Sequence, residues 1–431
     1  MSIQPIALGL ISTALLHPAP APVGAPRTED PIPALLAAVS AERIRDRVDT
    51  LAGFGTRHTY SRTDSDTWGI GAARRWIEAD LRASSEATGG RLEVHVQPFT
   101  RSVRTSEGRR EVEIVNVYGF LPGTHGDPLG RTYVVAGHYD SRASRGLDAE
   151  SPAPGADDDA SGTAVVLELA RVLAAHEFEA NLVFLCVAGE EQGLFGSSYF
   201  AEWAREQGLD VAAVMTNDIV GGVEGPDGSV DDRTIRCFAG GESPHAPSRE
   251  LCRAVREAAR RYVPSAELRM IFRLDRLGRG GDHIPFHEQG LPAVRFTEAR
   301  EHYARQHQDV REEDGVQYGD LPEFVDEEYV ARVARVNGAV LARLALAPPP
   351  PEGVRLRGAM RYDAELRWEA VRGAHGYEVV WRETTAAEWQ HGASTEETAL
   401  VLEGVVGDDH FFGVRAVGAG GHASLAAVPG R

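Results

Sequence analysis

Three adjacent aspartates in Gly155-Ala-Asp-Asp-Asp-Ala-Ser-Gly162 form the stretch of this sequence with the clearest chemical meaning. Carboxylates this close repel one another and raise each other's pKa unless cations neutralise them. In isolation the run would favour a solvated loop that caps the following helix, because Asp and Ser are good N-cap residues. The residues on either side of the run favour a metal site instead.

Three apolar segments, each with the length and composition of a buried strand, end beside side chains of the types that bind metals. These side chains are His138 and Asp140 after the first segment, Glu190 and Glu191 after the second, and Asp218 after the third. In open α/β sheets, ligands bind at the carboxyl ends of the strands. The pattern therefore predicts one site built from several strand ends.

The donor types point to zinc, because carboxylate and imidazole ligands without thiolates suit catalytic zinc. A carboxylate shared by two ions is the arrangement of two-metal hydrolysis. Adjacent residues at a strand end point in different directions, so one of Glu190 and Glu191 can bind metal while the other acts as general base. Asp140 can accept the second ring N–H of His138. A hydrolytic centre with two zinc ions is predicted.

Strand patterns alternating with amphipathic helix patterns predict an α/β domain over residues 32–346, with a mixed, largely parallel sheet flanked by helices. Residues 347–352 contain four successive prolines and read as a stiff linker. Residues 353–431 show short alternating strands at regular spacing, which predict a small all-β sandwich.

Residues 1–31 combine an apolar stretch, Ile6–Leu16, with a Pro- and Ala-rich leader. The stretch has the length of a signal-peptide core and is too short to span a membrane. It lacks a basic n-region, but the pattern still favours export to the periplasm or the exterior.

The net charge of −19 argues against nucleic acid and anionic membranes as partners. The three cysteines do not make a disulfide framework. Cys186 is predicted to be a core thiol, whereas pairing of Cys237 with Cys252 is left open by the sequence.

Four motifs resemble those of the M28 family of co-catalytic zinc metallopeptidases, whose best-known members are leucyl-type bacterial aminopeptidases. They are His138-Tyr-Asp140, the aspartate motif, Gly189-Glu-Glu-Gln-Gly-Leu-Phe-Gly-Ser197 and Gly281-Asp-His-Ile-Pro-Phe286, in this order. The set is specific although each motif alone is weak, and the resemblance covers roughly residues 32–346.

The resemblance implies a role for each residue. Asp157 would be the carboxylate shared by two zinc ions. His138 and Asp218 would bind one ion, and Glu191 and a late histidine would bind the other. Glu190 would act as general base, and Asp140 would orient His138. The peptide bond between Asp157 and Asp158 would be cis.

Two departures from the family pattern affect this assignment. Motif position selects His307 over His302 as the late histidine, but Asp309 follows it after one residue where the family has three. Some family members have a tyrosine shortly before the Asp-His motif, but Leu277-Gly-Arg-Gly-Gly281 contains none, which leaves Arg276 or Arg279 as the candidate stabiliser of the transition state.

The C-terminal unit resembles a fibronectin type III module. Trp368 and Tyr377 correspond to its core aromatic residues, and His410 stands where the module normally has a tyrosine. We expect this unit to bind a surface, a glycan or a protein.

The leading hypothesis is a di-zinc aminopeptidase that acts on peptide or protein substrates. The alternatives are another di-zinc amide hydrolase, such as a carboxypeptidase or deacylase, and a catalytically dead peptidase fold that serves as a binding protein. The complete ligand set and the presence of Glu190 argue against the last of these.

Overall fold

The computed structural model describes residues 30–105, 108–358 and 360–430, so the predicted signal-like stretch lies outside the described residues. The helices in the described part are α1 (Ile32–Ala37), α2 (Ala41–Gly53), α3 (Ile70–Ala87), α4 (Gly162–Leu173), α5 (Phe195–Gln207), α6 (Pro247–Tyr262), α7 (His283–Glu288) and α8 (Glu327–Leu346). None of these helices is long and apolar enough to cross a membrane.

The strands of the α/β domain are β1 (Glu93–Thr105), β2 (Gly108–Leu121), β3 (Thr132–His138), β4 (Asn181–Val187), β5 (Val211–Asn217), β6 (Thr234–Ala239), β7 (Glu267–Ile271), β8 (Ala293–Glu298), β9 (Arg311–Glu313) and β10 (Val316–Tyr318). The first eight form one sheet in the order β1-β2-β4-β3-β5-β8-β6-β7. Its centre, β4-β3-β5-β8, is parallel, and β2 and β6 join it antiparallel on either side. The predicted mixed, largely parallel sheet is confirmed.

The central strands are buried along their whole length because helices cover both faces of the sheet. Helices α1 to α4, α6 and α8 share one hydrophobic core on one face, and α5 and α7 pack on the other. The last helix begins where the Asp326 side chain accepts a hydrogen bond of 2.8 Å from Tyr329 N, an N-cap that satisfies a free backbone donor.

Strands β6 and β7 were not among the predicted elements. Strand β7 lies at the edge of the sheet, and Glu267 and Arg269 are exposed on it, so no apolar run marks it in the sequence. The three cysteines are buried and free, and Cys252 Sγ lies 3.7 Å from the main-chain oxygen of Cys237.

The C-terminal unit contains two three-stranded antiparallel sheets, β11-β12-β15 and β14-β13-β16. Its strands are β11 (Arg355–Arg357), β12 (Ala364–Arg367), β13 (Gly376–Glu383), β14 (His391–Thr395), β15 (Ala399–Leu402) and β16 (His410–Val417). The sheets enclose a core with Trp368, Tyr377 and Phe412. That this unit is a fibronectin type III module stays a prediction, as do the domain boundaries.

The C-terminal unit packs directly against α6, although the sequence suggested two units held apart by a stiff linker. Trp389 Nε1 donates to the buried Glu250 carboxylate at 3.0 Å, and Arg415 donates to Glu257 at 2.8 Å. Arg253 returns a hydrogen bond of 2.7 Å to Ala387 O. The contact is therefore rich in buried charges and is specific in its geometry.

Candidate metal centre

The sheet brings the predicted strand ends together. His138 is the last residue of β3, Asp218 follows β5 directly, and Glu190 and Glu191 lie three and four residues after β4. These three strands are neighbours and parallel, so their carboxyl ends meet at one edge. The loop Ala156–Ser161, which contains the aspartates, lies between β3 and α4 and covers the same edge.

The first group of candidate ligands is His138, Asp158 and Asp218, all buried, with ligand atoms within 4.8 Å of one another. His138 Nε2 lies 3.1 Å from Asp158 Oδ1 and 3.9 Å from Asp218 Oδ1. Two carboxylates facing one imidazole nitrogen is a donor set that a divalent cation can bind.

The second group is Asp158, Glu191 and His307. His307 Nε2 lies 2.9 Å from both Asp158 Oδ2 and Glu191 Oε1. Burial lowers the pKa of His307, but the two carboxylates outweigh it and raise the pKa to about 10. The position thus holds a positive charge that a metal ion would replace. His302, the alternative histidine, is outside both groups and lies by a small cavity beside Asp157.

Asp158, and not Asp157 as predicted, belongs to both candidate groups. Asp157 Oδ1 accepts a hydrogen bond of 2.6 Å from Gly221 N, and its carboxyl group is also hydrogen-bonded to Glu298. The Asp320 carboxylate accepts from the N–H groups of both Asp157 and Asp158, at 2.8 and 2.7 Å. The Asp157 side chain thus faces Gly221 and Glu298, whereas the Asp158 carboxylate contacts His138 of the first group and His307 of the second.

The cis peptide bond is likewise one residue later than predicted, between Asp158 and Asp159. The third aspartate, Asp159, supports the loop: its carboxylate accepts from His138 N at 3.0 Å and from Gly162 N at 2.9 Å. Asp159 therefore joins the end of β3 to the start of α4 and fixes the backbone of His138.

Asp140 approaches the His138 ring with both its carboxylate and its main-chain oxygen. His138 Nδ1 lies 3.1 Å from the main-chain oxygen of Asp140, closer than its 3.6 Å distance to the Asp140 carboxylate. That carboxylate accepts from the N–H groups of Glu190 and Glu191 at 3.3 and 3.2 Å, and from Thr59 Oγ1 at 3.1 Å. Asp140 thereby positions the two glutamates as well as the histidine.

The centre holds more buried negative charge than its own cations balance. Burial raises the pKa of Glu190 well above its ordinary value, and Asp218 and Glu191 raise it further against the effect of His138. Within the described residues, His138 Nε2 and Glu191 Oε1 are buried without a well-formed hydrogen bond. Buried imidazole and carboxylate atoms that lack such bonds, in a site without thiolates, are donors that suit zinc ions.

One cation at this edge was not predicted from the sequence. Arg295, fully buried on β8, places Nη2 2.8 Å from Asp218 Oδ1. Its Nη1 is held by Asp275 at 3.1 Å and by Gly280 O at 2.6 Å. An arginine within the apolar run of β8 was the signal available in the sequence, since a buried arginine needs a partner.

The two arginines proposed as transition-state stabilisers are occupied elsewhere. Arg276 Nη1 lies 3.1 Å from Glu301, and Arg279 also pairs with Glu301. Arg279 donates in addition to Gln306 at 3.1 Å. Nothing in this arrangement directs either guanidinium at the metal groups.

Comparisons with known proteins agree with this site. The model of peptidase family M28 matches residues 116–323, a range that contains all the candidate ligands. A probable zinc metalloprotease of Pyricularia oryzae is 43% identical over 422 residues, covering 92% of this chain and 84% of the relative. One of Pyrenophora teres is 41% identical over 423 residues, covering 93% and 87%.

Solved structures share the fold at low identity. LapB of Legionella pneumophila has a TM-score of 0.57 and 21% identity, covering 74% of this chain and 75% of its own. An aminopeptidase of Aneurinibacillus sp. strain AM-1 has a TM-score of 0.52 and 16% identity, covering 72% and 95%. With the sequence relatives and the ligand geometry, these likenesses lead to one assignment: the chain belongs to peptidase family M28 and is a zinc metallopeptidase.

Proposed function

We propose that this metallopeptidase binds two zinc ions and removes amino-terminal residues from peptides. The observation that carries the proposal is the Asp158 carboxylate, whose two oxygens face different groups: Oδ1 faces His138 and Oδ2 faces His307. A single carboxylate common to two ligand groups is the arrangement of two-metal hydrolases. Zinc ions held there would act as Lewis acids toward the scissile carbonyl and the attacking water.

The protein groups divide the work between them. His138 and Asp218 complete the first group, and Glu191 and His307 complete the second. Glu190 is half-buried beside both groups, close enough to sense the charges of His138 and Asp218, and is not itself in either group. It would accept the proton of the attacking water and return it to the leaving amine.

The preference for a free amino terminus rests on charge. The substrate ammonium group would enter an edge of the sheet that is rich in carboxylates, which favours a cation. Blocking the amine removes that attraction and adds bulk. Several solved structures of the same fold carry the name aminopeptidase, which supports the proposal by analogy of fold.

A carboxypeptidase is the second candidate, and one observation favours it. Arg142 lies at the same edge with Nε 3.9 Å from Glu191 Oε2, and its side chain is partly exposed. A guanidinium in that position would suit the terminal carboxylate of a substrate.

One panel of substrates tests both candidates. The zinc-loaded protein is given leucine p-nitroanilide, its N-acetyl derivative, and N-blocked dipeptides with a free carboxylate. We expect turnover of the free amine only, with two zinc ions per chain by metal analysis and loss of activity in chelator. Turnover of the blocked dipeptides that falls in Arg142→Gln would establish the carboxypeptidase, and comparable turnover of both anilides would reject an aminopeptidase.

A further inference from the structure

We infer that an arginine-lined cavity beside the metal centre binds acidic residues of the peptide substrate, on the leaving-group side of the scissile bond. The inference rests on the proposed aminopeptidase function and adds a substrate class to it. The cavity, called the arginine pocket below, has a volume of about 940 Å³ and is lined by Tyr60, Arg62, Trp68, Arg110, Arg145 and Leu147, among others.

Two walls of the arginine pocket are formed by segments that also contribute residues beside the metal centre. On one wall, Tyr60 follows Thr59, whose hydroxyl donates to the Asp140 carboxylate at 3.1 Å. On the other, Arg145 lies three residues after Arg142, which approaches Glu191 at 3.9 Å. A substrate bound at the metal centre would reach the pocket along these two segments.

The pocket concentrates positive charge in a chain whose net charge is −19. Arg62, Arg110 and Arg145 are all exposed, and of these Arg62 pairs with Asp64 at 2.9 Å. Arg110 donates 3.4 Å to Tyr60 O and makes no ion pair with another described residue. A peptide carboxylate would find two guanidinium groups open to it, with Tyr60 and Trp68 as apolar walls.

The two acids that line the pocket, Asp148 and Glu150, offset part of the charge of its three arginines and leave a small positive excess. Asp148 turns its carboxylate onto its own loop, where it accepts from Glu150 N at 3.1 Å and from Ser151 N at 2.9 Å. These bonds and the Ser151 hydroxyl lower the pKa of Asp148 and occupy its oxygens. Glu150 is the one other acid lining the pocket among the described residues, and it is exposed.

The size of the pocket decides which side of the substrate it receives. An enzyme that releases one amino-terminal residue has a single residue on the acyl side and the rest of the peptide on the leaving-group side. A volume of about 940 Å³ is at the upper end of ligand pockets and exceeds what one side chain fills. The pocket therefore suits residues two or more positions beyond the scissile bond.

The test compares matched peptides, Leu-Ala-Glu-Glu and Leu-Ala-Gln-Gln, by release of leucine. We expect kcat/KM to favour the acidic peptide by about 5–20-fold at low salt, the range for two partly exposed charge-assisted contacts. The preference should lie in KM and should shrink as salt is added. The double variant Arg110→Gln with Arg145→Gln should lose it, while its turnover of leucine p-nitroanilide, which is too short to reach the pocket, stays unchanged.

Charge reversal and a matched control sharpen the result. Arg110→Glu with Arg145→Glu should invert the preference toward Leu-Ala-Lys-Lys. Arg355→Gln, which removes an exposed arginine from the C-terminal unit, should leave every preference as in the wild type. Equal rates on acidic and neutral peptides in the wild type, or a preference that survives the double variant, would overturn the inference.

A binding measurement separates this inference from the proposed function. Calorimetric titration of Leu-Ala-Glu-Glu and Leu-Ala-Gln-Gln into zinc-loaded Glu190→Gln protein measures the affinity for each peptide without turnover. Tighter binding of the acidic peptide that is lost with Arg110→Gln and Arg145→Gln would support the pocket even if the enzyme proves not to be an aminopeptidase. Equal binding of the two peptides would reject the pocket whatever the activity.

Discussion

Two clusters of buried carboxylates lie on this chain, one at the metal centre and one where the C-terminal unit packs on α6, and they are neutralised differently. Glu250 and Glu257 on α6 face Arg253, Arg343 and Arg415, and each acid has a guanidinium within 3.3 Å. The acids of the metal centre face two histidines and two arginines, Arg295 at 2.8 Å from Asp218 and Arg142 at the longer distance of 3.9 Å from Glu191.

The difference separates structural from functional carboxylates. Moving a carboxylate from water into the protein interior has a large free-energy cost. The protein offsets that cost either with its own cationic side chains or with cations bound from solution. At α6 the protein supplies the cations, so the acids there hold two units together. At the strand ends the protein supplies too few, and the deficit indicates where cations from solution bind.

The strongest test of this contrast is the shared carboxylate. Asp158→Asn should lose tight zinc binding in both groups and lower turnover by more than about 10⁴-fold, since both ions depend on that side chain. Asp157→Asn is the matched control, because it changes the adjacent acid that faces Gly221. Zinc content and kcat measured on both variants decide between them. If Asp157→Asn loses both ions and Asp158→Asn keeps them, the residue between the two groups is the one first predicted from the sequence.

The adjacent glutamates give the next largest effect. Glu190→Gln should keep both zinc ions and slow turnover by about 10²–10⁴-fold, as expected for loss of a positioned general base. Glu191→Ala should weaken one ion, because Glu191 belongs to the second group. Metal analysis and single-turnover rates distinguish them. Zinc loss in Glu190→Gln together with two retained ions in Glu191→Ala would reverse the roles.

The one-residue error at the aspartates shows where sequence reasoning ends. The composition of Gly155–Gly162 identified the loop, but nothing local tells which of three identical side chains projects inward. The contacts that distinguish them come from residues distant in sequence: Gly221 N donates to Asp157, and Asp320 holds the N–H groups of Asp157 and Asp158. Arg295 was missed for a similar reason, since its partner Asp218 comes from another strand.

The strand ends, by contrast, were predictable. An apolar run followed by a polar residue indicates where a buried strand ends. His138, Glu191 and Asp218 were found in this way, and the parallel order of β3, β4 and β5 brings them together. His307 was selected by motif position, and the structure places it against Asp158 and Glu191.

The carboxylates of α6 should affect stability and leave catalysis intact. Arg415→Met removes the buried guanidinium that contacts Glu257 at 2.8 Å and Glu378 at 3.3 Å. Glu257 keeps Arg343 at 3.2 Å and both acids are partly exposed, so the variant should lose about 1–3 kcal/mol of unfolding free energy. Zinc content and kcat should not change, because the interface is remote from the strand ends. Denaturant unfolding of this variant beside Arg355→Met, an exposed control, tests it. A loss of zinc in Arg415→Met would show that the two clusters are coupled.

The smallest effect concerns His245, which packs against Phe411 of the C-terminal unit with ring centroids 4.3 Å apart. Burial lowers the pKa of His245, and the charges of Arg382 and Arg253 lower it further. The folded pKa is therefore below the unfolded value of about 6.5. The stability that depends on neutral His245 is fully present above that pH and is lost as the pH falls below it, because the unfolded chain takes up the proton first.

Melting temperature should drop between pH 8 and pH 5.5 by about 1–3 °C more in the wild type than in His245→Phe, which keeps the aromatic contact and cannot titrate. The control is His375→Phe, which changes an exposed histidine of the C-terminal unit. This variant should melt as the wild type does at both pH values. An equal drop in the wild type and His245→Phe would contradict the prediction. It would mean that Arg382 and Arg253 do not disfavour protonation of His245, because the acids of the α6 interface neutralise them.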